Sequence, residues 1–149
     1  MLVDGGTTRR DSVRNCLDHG GTDRVVVHDA ARPLLGTDLV RAVVTALDEA
    51  DAAIPAMPIG ETIKRVEGDR VLETLDRSGL WTAQTPQAFR TEILMKAHAG
   101  GGDAAVTDDA QLVEAVGGRV AVVPGHSTNI KITNRADFDL AEAILRSKR

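Results

Sequence analysis

The run Arg24-Val25-Val26-Val27-His28 sets three β-branched side chains side by side with no polar alternation. A strand of that kind carries apolar residues on both faces, which suits a sheet covered by helices on each side. The flanking pattern agrees. Upstream, Arg9 to His19 places Val13, Cys16 and Leu17 on one helical face, and Gly20-Gly21 supplies a stop. Downstream, Thr37 is placed to cap a helix reaching about Glu49, with Leu39, Val40, Val43, Val44 and Leu47 inward. A second apolar strand follows from about Ala52 to Met57. Strand, helix, strand in this order predicts a parallel crossover and an α/β fold.

The middle of the chain breaks that rhythm. Thr62–Val66 and Val71–Leu75 flank Glu67-Gly68-Asp69-Arg70, a hairpin signal whose apolar positions are too sparse for a core element. Residues of about 60–80 are therefore expected to form an arm that leaves the main sheet. Helices are expected again at about Thr91–Ala99 and Asp108–Val116, separated by Gly100-Gly101-Gly102. Strand signals follow at Arg119–Val123 and Asn129–Ile132. Asn134 is placed to cap a last helix with Phe138, Ala141, Ile144 and Leu145 inward. No internal repeat or interdomain linker is visible, so the 149 residues read as one domain. The opening, Met1-Leu2-Val3-Asp4-Gly5-Gly6, looks like the tail of a strand entering a loop. The chain is thus expected to be a partial domain whose first part is missing.

Composition narrows the function. One tryptophan and two phenylalanines leave core filling to Val, Leu, Ile and Ala and give no stacking platform for single-stranded nucleic acid. A net charge of −4 gives no basic footprint for duplexes. A single cysteine excludes an intrachain disulfide and a multi-cysteine zinc site. No apolar run approaches the ~20 residues that span a bilayer, and no signal pattern opens the chain, so a cytoplasmic protein is expected.

Candidate chemistry lies in the loops. Asp29-Ala30-Ala31-Arg32-Pro33 follows the apolar strand directly, where ligands bind in open parallel sheets. Asp29 suits a divalent cation, Ala30 and Ala31 allow close approach, and Arg32 offers a fork for phosphate; a locally capping Asp with a surface Arg reads equally well. Gly5-Gly6 precedes a helix N-terminus that favours an anion, although an ordinary turn has the same pattern. Arg77 could bind phosphate with help from Thr62 and Thr85, or could be a solvated arginine at the hairpin end. Thr107-Asp108-Asp109 reads as a capped helix start. Lys131 alternates with Ile130 and Ile132, on an exposed strand face or reaching toward phosphate. His28 reads as a structural histidine, and the four histidines share no metal spacing.

The order of these segments carries a resemblance. The series runs Gly5-Gly6-x-x-Arg9-x-x-Ser12-Val13, Val27-His28-Asp29-Ala30-Ala31-Arg32-Pro33, Glu61-Thr62-Ile63-Lys64 and Asp76-Arg77-x-Gly79-Leu80-Trp81. It ends with Gln84-Thr85-Pro86-Gln87-x-Phe89, Thr107-Asp108-Asp109 and Asn129-Ile130-Lys131-Ile132-Thr133. It closely resembles the 2-C-methyl-D-erythritol 4-phosphate cytidylyltransferase family across essentially the whole chain. The resemblance implies a Rossmann-like nucleotidyltransferase fold whose protruding β-arm hooks two subunits into a homodimer. It implies the joining of CTP to methylerythritol phosphate with release of pyrophosphate, in the non-mevalonate route to isoprenoids. Mg²⁺ or another divalent cation is the implied cofactor.

Position by position, the resemblance implies that Gly6 and Ser12 contact the cytidine, and that Asp29 is the metal-associated carboxylate with Ala30 near the nucleotide. It makes Arg32 a sugar-phosphate-site residue, Thr62 and Arg77 the partner arm's contribution to the substrate phosphate, and Thr85 and Thr107 polyol contacts. Lys131 becomes the lysine that orients the attacking phosphate. Arg77 and Lys131 are thus the expected catalytic pair. The family pattern also opens with a strand, a glycine-rich loop of the type P-A-A-G-x-G-x-R and a P-K motif, none of which this sequence matches. The chain is therefore expected to be N-terminally truncated relative to the family and inactive by itself, since losing even one preorganised transition-state donor costs ~10²–10³ in rate. Two alternatives stand beside this reading: a cytidylyltransferase for another polyol phosphate such as ribitol 5-phosphate, and a non-catalytic remnant acting as a dimerisation or binding module.

Overall fold

A computed structural model describes residues 2–100 and 107–147. The elements run α1 (Arg9–Leu17), β1 (Arg24–Val27), α2 (Thr37–Ala46), β2 (Ala52–Pro58), β3 (Ile63–Glu67), β4 (Arg70–Leu75), β5 (Trp81–Ala83), β6 (Gln87–Arg90), α3 (Thr91–Ala99), α4 (Asp109–Ala115), β7 (Val120–Pro124) and α5 (Arg135–Ser147). Of the glycine run expected between α3 and α4, Gly101 and Gly102 lie outside the described residues.

The main sheet is mixed. β6 lies antiparallel between β1 and β2, pairing Val27 with Gln87 on one edge and Ala52 with Phe89 on the other. β1 and β2 therefore run parallel to each other, as a crossover requires, yet they are not neighbours. A parallel ladder joins β2 to β7, from Ala52–Val120 to Ala56–Pro124. β5 takes up the antiparallel edge of β2 again at Ala56–Ala83. Between β5 and β6 the residues Gln84–Pro86 form a short connection with a cis Thr85-Pro86 bond and with Thr85 and Pro86 buried, and this connection becomes part of the candidate site.

Helices cover both faces. One core cluster joins Leu17, Phe89, Leu94, Leu112 and Val113, and the other sets Val43 of α2 and Leu47 at its C-terminal cap on Ala53 and Ala88. Alanines at the strand positions let the helices approach closely, and aliphatic side chains fill the space, as expected from so few aromatics. β1 corrects the expectation of a strand buried on both faces: Val25 and Val27 join the first cluster, but Val26 is 38% exposed. Val26 points to the α2 face beside Ala88, and α2 packs over β2, β6 and β7 rather than over β1.

The hairpin β3–β4 forms a separate two-stranded sheet, closed by Gly68 at φ 58°. Val66, Val71 and Leu72 on it are exposed, so it is the arm that its sparse apolar pattern implied. Other local expectations need correction. Thr37 does not cap α2; Gly36 does, without a side-chain bond. Cys16 is exposed because α1 turns Leu17 inward instead. On α5, Asn134 does cap by accepting from the Asp137 N–H, but Phe138 and Leu145 are exposed while Ala141 is buried. The Arg135 guanidinium lies over the Phe138 ring. Asn129–Ile132 is not a strand. Its backbone bonds go to loops, with the Ile132 N–H donating to the Ala31 carbonyl at 2.8 Å, which pins Lys131 beside the loop after β1.

Candidate active site

A cleft of about 230 Å³ opens at the carboxyl end of β1. Its walls come from four places: the start of α1 (Arg9), the loop after β1 (Asp29, Arg32), the β5–β6 connection with the first residue of β6 (Gln84, Thr85, Gln87) and the start of α4 (Thr107, Asp108), with Lys131 beside them. Larger hollows exist elsewhere, and one of about 510 Å³ is also charged, but its Asp48, Glu49, Asp51, Arg90, Glu92 and Arg119 lie away from the loop after β1.

Asp29 is the centre of the charge pattern. Its side chain is 20% exposed, and its Oδ2 lies 3.1 Å from Lys131 Nζ. Arg32 Nε stands 3.9 Å from the same oxygen, and Arg9 Nε stands 3.9 Å from Oδ1. Arg32 is held by donation from Nη1 to the Asn129 carbonyl at 2.8 Å, while its buried Nε has no hydrogen-bond partner. Burial pushes the Arg32 guanidinium down from its ordinary value, and the Asp29 charge opposes that shift.

Asp29 is aimed from below by a chain of hydrogen bonds. A carbonyl only accepts, so His28 Nε2 donates to the Arg32 carbonyl at 3.0 Å. His28 Nδ1 is then an acceptor and takes the Thr85 hydroxyl proton at 3.0 Å. The same hydroxyl accepts the Asp29 N–H at 3.0 Å. His28 is thus the satisfied structural histidine that its position implied. Thr85 is buried, and Asn129 Nδ2 donates to its carbonyl at 2.8 Å. Its hydroxyl is committed to the loop, so Thr85 acts as the floor that aims Asp29, and a polyol contact there requires one of these bonds to give way.

The structure brings together Asp29, Arg32, Thr85, Thr107 and Lys131, with Ala30 exposed on the adjoining turn. It leaves four others apart within one chain. Gly6 and Ser12 bond to each other, the Gly6 N–H donating to Ser12 Oγ at 3.0 Å. Ser12 lines a separate hollow of about 310 Å³ with Val25, Val27 and His28. Thr62 is exposed at the base of the arm. Arg77 donates to the Ile59 carbonyl at 3.0 Å and to the Gly60 carbonyl, at the arm's root rather than in the cleft.

Sequence reasoning missed the role of Asp109 and His98. Asp109 stands just after the α4 cap Asp108 and reads as a dipole-suited acid, yet it is 1% exposed. It repeats with Leu112 and Val113 on the inward face, and a carboxylate on an apolar stripe is the signal that could have revealed it. Burial pushes its carboxyl up, but the His98 hydrogen bond and the Arg9 charge together outweigh burial and hold it below the usual range. Among the described residues no group of three His, Cys, Asp or Glu side chains gathers as a metal site. One open carboxylate still fits Mg²⁺, which is commonly held by one or two carboxylates with phosphates and water completing the octahedron.

Comparison with known proteins points one way. The profile of the family "2-C-methyl-D-erythritol 4-phosphate cytidylyltransferase" matches residues 1–147. A cytidylyltransferase of that name from Cereibacter sphaeroides is 46% identical over 148 residues, covering 97% of this chain and 65% of its own length. The bifunctional enzyme IspD/IspF of Maricaulis maris is also 46% identical, over 98% of this chain and 39% of its own length. The crystal structure of the Thermus thermophilus cytidylyltransferase superposes with a TM-score of 0.88 at 40% identity, covering 97% of this chain and 72% of that one. The chain thus spans less than two thirds of the length of these first curated relatives.

Proposed function

Because this chain belongs to the 2-C-methyl-D-erythritol 4-phosphate cytidylyltransferase family, we propose that it serves the transfer of a cytidylyl group from CTP to 2-C-methyl-D-erythritol 4-phosphate. A phosphate oxygen of the polyol attacks the α-phosphorus of CTP, and the bond from that phosphorus to the bridging oxygen breaks. Pyrophosphate leaves and 4-diphosphocytidyl-2-C-methyl-D-erythritol remains. No enzyme nucleophile is involved, so positioning and charge stabilisation carry the work. The reading places the protein in the cytoplasm.

The observation that carries this reading is Lys131 Nζ at 3.1 Å from Asp29 Oδ2 in a cleft flanked by Arg9 and Arg32. The three cations around Asp29 repel a bare metal ion, and the carboxylate suits one that arrives with the negative charge of a triphosphate. Asp29 would hold Mg²⁺ or another divalent cation, which supplies Lewis-acid polarisation of the phosphoryl oxygens. Lys131, released from Asp29, neutralises the incoming polyol phosphate. Arg32 and Thr107 face the polyol phosphate, Ala30 leaves room for the nucleotide, and Gly6 and Ser12 meet the cytidine.

Thr62 and Arg77 lie on or beside an arm that leaves the sheet. We assign them to the cleft of a second copy, which makes a homodimer the functional unit.

Calorimetry with 2-C-methyl-D-erythritol 4-phosphate, in the presence of Mg²⁺ and CTP, tests the reading. Lys131→Met and Arg77→Met should each weaken binding about 10- to 100-fold, the worth of one charge-assisted contact. Saturable binding of ribitol 5-phosphate in place of the methylerythritol compound would reassign the substrate. Binding of neither sugar phosphate would overturn the transfer reading in favour of a non-catalytic dimerisation or binding module.

A further inference from the structure

His98 and Asp109 form a buried couple that the proposed reaction leaves without a task. Their side chains are 2% and 1% exposed, and His98 Nε2 donates to Asp109 Oδ1 at 3.0 Å. The other oxygen, Oδ2, accepts from Arg9 Nη1 at 2.7 Å, across 100 residues of sequence. A carboxylate this deep persists only with a charge partner and satisfied lone pairs, and Arg9 with His98 provide both.

Arg9 itself is not buried. Its side chain is 40% exposed and lines the cleft. Its backbone is fixed because Thr8 caps α1 in a reciprocal box with Asp11, and the neighbouring Arg10 donates to the His98 carbonyl at 3.2 Å. Its Nε stops 3.9 Å from Asp29 Oδ1, outside hydrogen-bond range. Arg32 stands at the same distance from Oδ2. Among the described cations only Lys131 comes within hydrogen-bond distance of the Asp29 carboxylate, and the two arginines stand off from it.

We propose that Arg9 is a further anion-contacting residue of this cleft, receiving a phosphoryl oxygen of the bound substrate, and that Asp109 and His98 are positioning residues that hold its guanidinium there. The assignment rests on the phosphoryl-transfer reading above. An arginine suits it because a planar fork serves a buried carboxylate with one nitrogen while another faces the cleft, and a single ammonium does not.

Calorimetric titration of the whole chain with inorganic pyrophosphate and, separately, with 2-C-methyl-D-erythritol 4-phosphate, each with Mg²⁺, tests this. Arg9→Met should weaken one of the two probes about tenfold, and Arg9→Lys should fail to restore it. Asp109→Asn should weaken the same probe several-fold. The double substitution should be no worse than Arg9→Met alone, because Asp109 acts only through Arg9. Additive losses that track the thermal midpoint would make the couple purely structural and overturn the inference. Arg9 is half-exposed, so Arg9→Met remains informative if Asp109→Asn fails to fold. If Lys131→Met weakens binding while Arg9→Met leaves it unchanged, the inference falls and the functional reading survives. If the unsubstituted chain binds neither probe, both fall.

Discussion

Thr85→Val isolates the junction that aims Asp29. Valine keeps the β-branch, and so leaves no cavity, but removes one hydroxyl. That hydroxyl accepts the Asp29 N–H and donates to His28 Nδ1, each at 3.0 Å. The substitution therefore strands one donor and one acceptor. A buried polar group left unpaired costs about 1–3 kcal/mol. Asp29 and His28 are only half-buried, so water recovers part of the loss, and the expected destabilisation is about 2–3 kcal/mol in total. Thr85→Ser keeps both bonds and loses a methyl, for about 1 kcal/mol. Urea unfolding of the three proteins at equal m-value measures the difference. The Asp29 amide, followed by hydrogen exchange, should lose protection in the valine variant alone. If Thr85→Val is no more costly than Thr85→Ser, the hydroxyl joins nothing, and the account of how Asp29 is aimed is wrong.

Two further outcomes follow from local geometry and charge. A Cβ on Gly6 would lie 2.1 Å from Asp11 Cβ, whereas one on Gly5 meets only Ser12 Oγ at 3.4 Å. Thermal melts should show Gly6→Ala destabilised by about 1–3 kcal/mol and Gly5→Ala nearly unchanged. Asp109 has its carboxyl pKa lowered in the folded protein, against burial, by His98 and Arg9. Its stabilisation is therefore complete above the unfolded value of about 4 and is lost as pH falls through the lower folded value. Stability measured from pH 5 downward should fall less steeply in Asp109→Asn than in the unsubstituted protein; equal slopes would show that the pairing contributes nothing.

Much of the element pattern follows from short-range rules. α3, expected at about Thr91–Ala99, spans those residues, because an apolar face at helical spacing ends at Gly100. The arm was legible for the opposite reason: two strand-like runs around Gly68 carry too few apolar residues to be a core. The failures share a cause as well. Val26 reads as buried and Cys16 as inward because periodicity says which residues share a face, but not whether a neighbouring element extends far enough to cover it. Asn129–Ile132 has strand composition, yet its backbone partners lie in the loop after β1.

The site divides along the same line. Asp29, Arg32 and Lys131 stood out in the sequence because charged residues interrupt or directly follow apolar strand-like runs, and the order of the short motifs tied them to one family. No local pattern could bring Lys131 to Asp29, set β6 antiparallel between β1 and β2, or turn Asp109 inward to hold Arg9. Those relations depend on non-local pairing, since contacts such as Arg9 with Asp109 span 100 residues. The sequence by itself determined which segments form helices and strands and which polar residues interrupt them, because those choices rest on neighbours within a few positions. Only the tertiary structure decided which charges share a cleft and which hydroxyls are already committed, because burial and hydrogen-bond partners arise when distant segments pack.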